Sequence, residues 1–329
     1  MSDQLRFDVQ VDAGGFSGEE AFQTVKASLS SVDAEAVYDC FIGENGTADP
    51  DVYDNYSDPE GNQTPITVYE GADFSLAVSA KDFSWSNSVM NYVLNSFYPD
   101  GSTEEYNAEQ YSMEDDLAFL DRKAAWEQVK ETMETLGLDM DGAVSRVTYS
   151  LDVETLAQEE RCIDVYGNVA EEEKNPSWSE KDEGYYYFIT QSWEGIPFYD
   201  ETYLNQDELT NAPMEVYQTQ EGIAQAYLRR WFQIEPQEQT EKLADFESIM
   251  DVLEEKYTGT LQTYPITVEQ ATLYLFAVNT GTEGVYTLEP VWVCTLVQEE
   301  TAQGEEESRN RFCVPIHAVT AEEMFILEN

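Results

Sequence analysis

The first apolar positions of the chain alternate. Leu5, Phe7, Val9 and Val11 are separated by Arg6, Asp8 and Gln10, the period of a half-buried strand. Gly14, Gly15 and Gly18 break it. Ala21, Phe22, Val25 and Leu29 then fall on one helical face and predict a short helix over 19–29, with Ser17 as cap and Glu20 completing a capping box. Residues 43–65 are rich in turn formers and predict a loop. Residues 66–69 and 74–80 predict a hairpin across Glu70, Gly71, Ala72 and Asp73, with Phe74, Leu76 and Val78 on one face. Residues 88–98 fit either a helix or a strand.

The strongest helical pattern begins at Ser112, with an acid three residues on. Leu117, Leu120, Ala124, Val129 and Met133 run along one side, and Gly137 stops the helix after Leu136. A strand follows over 144–153, then a charged loop over 171–184. Residues 185–203 hold the densest aromatic and β-branched run, broken once at Gly195, Ile196 and Pro197, and predict a strand, a tight reversal and a returning strand. A polar link follows Asn205. Residues 222–232 fit a short helix or a strand. Phe246, Met250, Leu253 and Tyr257 mark a helix over 243–257. Three strands close the chain, over 268–278, 286–298 and 309–319, with a very acidic loop at 299–308.

This order predicts an α+β protein: two units, each a helix on an antiparallel sheet, after an N-terminal strand, helix and hairpin region. The boundaries expected are 1–111 for the N-terminal region with its acidic loop, 112–205 for the first unit and 206–329 for the second. The two halves echo each other in layout only.

Composition changes the picture through charge. Among 329 residues, 67 are acidic and 16 basic, a net −51. Such a surface repels phosphate backbones and anionic lipid, so nucleic acid and direct membrane binding are set aside. Cations, basic peptides or a basic protein face remain as partners, beside a merely solvated surface or a salt-adapted one. Aromatic residues make up 13%, enough for a real core. No apolar run reaches the roughly 18–20 residues that span a bilayer. The start at Met1 fits either a cytoplasmic chain or an exported one whose leader lies upstream, and its abruptness favours the second as the expectation.

Residues 286–294 (Tyr-Thr-Leu-Glu-Pro-Val-Trp-Val-Cys) and 312–322 (Phe-Cys-Val-Pro-Ile-His-Ala-Val-Thr-Ala-Glu) resemble the closing strands of PepSY and YycI-like extracytoplasmic domains. Those read Leu-x-Pro-x-Trp, then a strand ending near Asp-Ala-x-Thr-Gly-Glu. Here His317 stands where Asp is usual and Ala321 where Gly is usual. The hairpin at 185–199 is also similar to the hairpin of that group. The resemblance spans about 112–329 and extends to lipoproteins of anaerobic Gram-positive bacteria. It implies an exported protein, anchored through a lipid on a cysteine upstream, with an interaction, inhibitory or regulatory role at the cell surface. It carries over no catalytic residue.

The residues themselves offer little chemistry. His317 is the only histidine, which removes His-based zinc clusters, and its strand setting reads as structural. No Gly-x-Ser-x-Gly elbow, P-loop or dinucleotide fingerprint is present. Paired carboxylates of glycosidase type are uninformative in so acidic a chain. The six tryptophans are expected in the core, with a sugar platform as the alternative. Calcium is the one candidate cofactor, at Asp49, Asp51, Asp54, Asp58 and Glu60, which crowd one loop as oxygen ligands but lack the EF-hand spacing. Asp139 and Asp141 read as a helix-ending turn. Cys294 and Cys313 flank the last loop, so a cross-strand contact and two buried free thiols both stay open; Cys40 and Cys162 have no C-x-x-C partner. Asn45, Asn55 and Asn62 begin glycosylation sequons.

The reading is a non-catalytic surface or secreted ectodomain that binds or regulates another protein. The alternatives are a carbohydrate- or small-ligand-binding surface protein and a purely structural acidic domain.

Overall fold

The computed structural model describes residues 5–14, 16, 21–43, 49–100, 105–161, 174–199, 212–258, 264–282, 284–300 and 308–324. The expected cap at Ser17 and Glu20, Asn45, Cys162, the returning strand beyond Tyr199 and the acidic stretch 301–307 lie outside them. The first strands are β1 (Leu5–Asp12) and β2 (Phe22–Leu29), followed by helix α1 (Ala34–Phe41). Then come β3 (Asp51–Ser57), β4 (Gln63–Glu70), β5 (Phe74–Val78), β6 (Phe83–Asn87) and α2 (Val89–Val93). The middle of the chain gives α3 (Arg122–Thr135), β7 (Ala143–Leu151), α4 (Val153–Glu159), β8 (Gly184–Trp193) and β9 (Ile196–Pro197). It continues with β10 (Met214–Thr219), β11 (Gly222–Leu228), β12 (Phe232–Glu241) and α5 (Phe246–Thr258). Long strands β13 (Ile266–Asn279), β14 (Tyr286–Glu300) and β15 (Ser308–His317) close the chain. The class is α+β, with strand outweighing helix.

The chain divides into two units, and not in three successive stretches. One comprises Met1–Ser28, Ser192–Tyr199 and Ile234–Asn329; the other Leu29–Gln191 and Asp200–Gln233. The expected boundaries at 111 and 205 differ from this because strand partners are non-local. β1 and β2 join β13 and β14, while β10 and β11 join the sheet of β8. An apolar period reveals which face of a strand is buried and says nothing of its neighbour.

In the first unit the sheet order is β1-β13-β14-β2-β12, with β15 also on β14. β1 runs parallel to β13, a departure from the all-antiparallel sheet expected; the β13, β14, β15 and β2 pairings are antiparallel. Ile249, Leu253 and Tyr257 of α5 are buried, and Phe246 meets Trp292 edge-on at 5.2 Å. Alternation along β14 puts Trp292, Cys294 and Leu296 on the α5 face. Val291 and Val293 pack on the other face with Tyr199, Tyr274 and Phe276. Segment 22–29 is a strand and not the expected helix. Phe22, Val25 and Leu29 fit helical steps, but Val25, Ala27 and Leu29 also fit a period of two, and pairing with Leu288 and Tyr286 of β14 decides.

In the second unit the order is β3-β4-β5-β6-β11-β10-β8-β7, antiparallel at each pair whose register is defined. β8 holds the aromatic run and is buried at every residue from Gly184 to Gln191. A strand covered on both faces reads as a continuous apolar run, as this one does. Tyr185, Tyr187 and Ile189 face a core shared with Met214, Val216, Ala226 and Leu228, closed by Ala125, Val129 and Met133 of α3. Tyr186 and Phe188 face the opposite core, with Tyr217 and Ala224, closed by Met90 and Val93 of α2 and Leu156 of α4. Each fully buried aromatic side chain contributes about 1.5–3 kcal/mol of transfer free energy. At the far end of β8 a turn at Glu194 and Gly195 returns the chain through β9. Ile196 and Pro197 are therefore the return and not the break.

Two more expectations change. The helix expected from Ser112 begins at Arg122, capped by Asp121, whose carboxylate accepts from Ala124 N at 2.9 Å. Its buried positions are Ala125, Val129 and Met133. Ser112 does accept from the Glu114 and Asp115 amides, but the turn does not propagate. Instead Tyr185 Oη accepts from Leu117 N at 2.6 Å and donates to Leu120 O at 2.7 Å, tying that segment down as irregular chain. Gly137 ends α3 as expected, at φ 84°. The expected loop 43–65 contains β3 and the start of β4, joined through Asp58, Pro59, Glu60, Gly61 and Asn62. Residues 222–228 resolve as strand, and 89–93 as a short helix.

Candidate functional site

The candidate calcium ligands are strung along a strand. Asp49, Asp51 and Asp54 are exposed, on β3 or just before it. Asp58 is buried, and its carboxylate accepts from Glu60 N at 3.0 Å and Asn62 N at 2.8 Å, closing the β3–β4 turn. A strand rises about 3.3 Å per residue, so its two ends stand beyond the reach of one ion. Among the described residues no group of three or more His, Cys, Asp or Glu is placed to hold a metal. Asp139 accepts from Asp141 N at 2.9 Å, a local turn.

Beside Asp58 a second carboxylate is buried. Asp82 accepts from Ser79 Oγ and from Tyr56 Oη, both at 2.9 Å. Burial pushes the Asp82 carboxyl up. Burial, then the hydrogen bond and charge of Asp82, push the Tyr56 hydroxyl to about 12. The pair fastens β3 to the turn between β5 and β6.

The centre of the second unit holds a buried polar chain that the sequence did not reveal. Gln225 Nε2 donates to Tyr186 Oη at 2.5 Å, Tyr186 Oη donates to Glu215 Oε2 at 3.0 Å, and Arg229 Nη1 pairs with Glu215 Oε1 at 2.6 Å. Burial raises the Glu215 carboxyl although Arg229 and Tyr186 both oppose it. Gln225 Oε1 has no hydrogen-bond partner among the described residues. The signal was present: Glu215 sits inside Met214-Glu-Val-Tyr217, a polar residue on an apolar strand. The chain links β8, β10 and β11 across the sheet face.

His317 Nδ1 accepts from Val319 N at 3.1 Å and Thr320 N at 3.2 Å, which places the ring proton on Nε2, 3.2 Å from Glu289 Oε2. The turn that follows carries Ala321 at φ 53°, a left-handed position that favours glycine. Cys294 lies opposite Val314 and Cys313 opposite Thr295, so the two thiols project from opposite faces of the sheet and are free. Burial lifts Cys294 to about 12. Of the tryptophans, Trp85, Trp231 and Trp292 are buried and Trp126, Trp178 and Trp193 half-buried, so none forms an exposed platform. Asn55 lies exposed on β3 and Asn62 in the turn after it.

Exposure concentrates at the sheet ends. Six of the seven residues of β3 and six of the eight of β1 are exposed. Val52 and Tyr53 are 59% and 52% exposed.

No family model matches the chain, and no curated protein does. Among solved structures, the fold is similar to that of an uncharacterized protein from Eubacterium rectale ATCC 33656, with a TM-score of 0.65. The match has 15% identity and covers 99% of this chain and 92% of that one. At that identity the likeness shows the fold alone. No helix among the described residues is long and apolar enough to cross a membrane.

Proposed function

We propose that this protein is a non-catalytic surface or secreted ectodomain, anchored through a lipid in its precursor, that binds or regulates another protein. The observation that carries this reading is the exposure of the terminal strands β1 and β3 in an acidic molecule. A sheet edge presents a row of backbone donors and acceptors ready to pair with another chain. The resemblance of the closing strands to extracytoplasmic domains supports the export half of the reading. The burial of the tryptophans weighs for a protein partner over a sugar.

The test is a paired array, one of random peptides and one of oligosaccharides, probed with the labelled protein at physiological salt. Retention on peptides rich in Lys and Arg is expected. Retention on oligosaccharides alone overturns the reading in favour of a carbohydrate-binding role. Export is checked by protease added to intact cells that make the full precursor, where cleavage is expected.

A further inference from the structure

We infer that β3 is the docking edge, and that its occupant is a short, extended, basic segment of a partner protein, added as a further strand. The inference rests on the protein-binding reading above and narrows it to one edge and one chemistry.

The ends of the two sheets are not equivalent. β7 is overlaid by the chain at 112–122: Ser150 N donates to Ser112 O at 2.7 Å, and Arg122 donates to Thr148 O and Ser150 Oγ. β12 carries Pro236, which removes a ladder donor. β1 sets Arg6 beside Asp8 and Asp12, a weaker net negative charge than that of β3, whose two carboxylates have no cation among them. β3 reads Asp51-Val-Tyr-Asp-Asn-Tyr-Ser57 and has no Lys, Arg or Pro. Among the described residues no strand pairs with its outer edge.

Asp51 and Tyr53 point to one side of the sheet and Val52 to the other, so an added strand finds an apolar contact on each side. The exposed carboxylates of Asp49, Asp51 and Asp54 repel a second copy of the same edge and attract lysine or arginine. Length is limited as well. Pro50 precedes the strand, and the register with β4 shifts between Tyr53 and Tyr56. A bulge and a proline keep a long sheet from growing. A few residues of a basic partner still fit.

The probe is a fluorescein-labelled peptide of about eight alternating lysines and valines, against an equally charged control with proline at each valine, since proline cannot donate to a ladder. Fluorescence anisotropy reads affinity, and amide exchange maps the contact. Binding of the first peptide is expected, with slowed exchange over 51–57. The proline control and the D51K/D54K variant, shown to melt like the wild type, are each expected to bind roughly tenfold more weakly or worse. Equal binding of the proline control reduces the effect to charge and overturns strand addition. Binding unchanged in D51K/D54K, or protection elsewhere, overturns the edge while leaving a protein partner in place. Peptide-array failure, read separately, removes the partner itself.

Discussion

The sheet of the second unit ends in two different ways. At β7 the outer backbone is answered from within: the segment before α3 bridges Ser150 through Ser112, Ser150 Oγ donates to Asp115 O at 2.6 Å, and the Arg122 guanidinium caps Thr148 O. At β3 no strand among the described residues pairs with the outer edge, and the side chains are two carboxylates, an amide, the Ser57 hydroxyl, Val52 and two tyrosines. An unpaired edge is a hazard, and one basic side chain with ten residues of irregular chain suffices to cover it. Among the described residues β3 has no such cover. Whether the difference is energetic is open to direct test.

The largest effect is expected at Arg122. Its Nη1 donates to Ser150 Oγ at 2.7 Å and its Nη2 to Thr148 O at 2.9 Å, with the guanidinium 5.7 Å from the Tyr185 ring. Charge-assisted bonds of this kind contribute about 1.5–3 kcal/mol each, so Arg122→Met should lower stability by about 3 kcal/mol in denaturant melts. Amide exchange in β7 should quicken with it. Unchanged exchange would mean that β7 is closed by some other group, and the contrast with β3 would collapse. Tyr185→Phe comes next. It removes the hydroxyl that holds both Leu117 N and Leu120 O, leaving a buried N–H without an acceptor, for a loss of about 2 kcal/mol. That loss should loosen the covering segment and leave β3 exchange as it was.

How much of this was legible follows from what periodicity encodes. The buried centre was readable, because Tyr185 to Ile189 is apolar on both faces and only a central strand accepts that. The long closing strands and α5 were readable for the same reason, their apolar spacing holding over many residues. The edge was not. β3 is solvated on both faces, so Val52, Tyr53 and Tyr56 show no clean alternation amid Asp and Asn, and the stretch reads as loop. Pairing across the chain was also invisible: nothing local in Leu5–Asp12 names Ile266–Asn279 as its parallel neighbour. The candidate ligands at Asp49 to Glu60 were read as gathered for the same reason, since a strand spreads what a loop would gather. The last turn was half legible. Ala321 stands there at φ 53°, a left-handed position that favours glycine and that no local periodicity announces.

Anchoring of β3 itself is a smaller quantity. Tyr56 is its link to the buried Asp82, so Tyr56→Phe should cost about 1 kcal/mol at neutral pH and speed exchange in β3 alone. Its pH signature has a definite sign. Asp82 and Glu215 are both raised by burial, so the folded state holds protons that the unfolded state has lost. Their contribution falls as pH rises from the unfolded carboxyl value, about 4, through the raised folded value, and is flat above it. Asp82→Asn should flatten part of that slope. At the alkaline end Tyr56 keeps its proton to about 12, against about 10 for a free tyrosine, so stability falls as pH rises across that interval. In Tyr56→Phe that share of the alkaline loss should vanish.

The smallest effect on stability separates charge from shape at the open edge. Asp51 and Asp54 are exposed. D51N/D54N should therefore change folding stability by no more than about 0.5 kcal/mol. Self-association should respond. Two β3 edges brought together set these carboxylates against their counterparts, and like charges opposed across strands destabilise pairing by about 0.2–1 kcal/mol each. Removing them should strengthen dimer formation by up to roughly tenfold in sedimentation velocity, and added salt should move the wild type the same way. An Arg122→Met chain, whose exposed edge lies at β7, should not share that salt response. If D51N/D54N stays monomeric at every concentration, then Pro50 and the bulge after Tyr53 guard the edge. The attraction inferred for a basic strand would then lose its electrostatic premise, because the same carboxylates cannot be inert toward like charge and decisive toward its opposite.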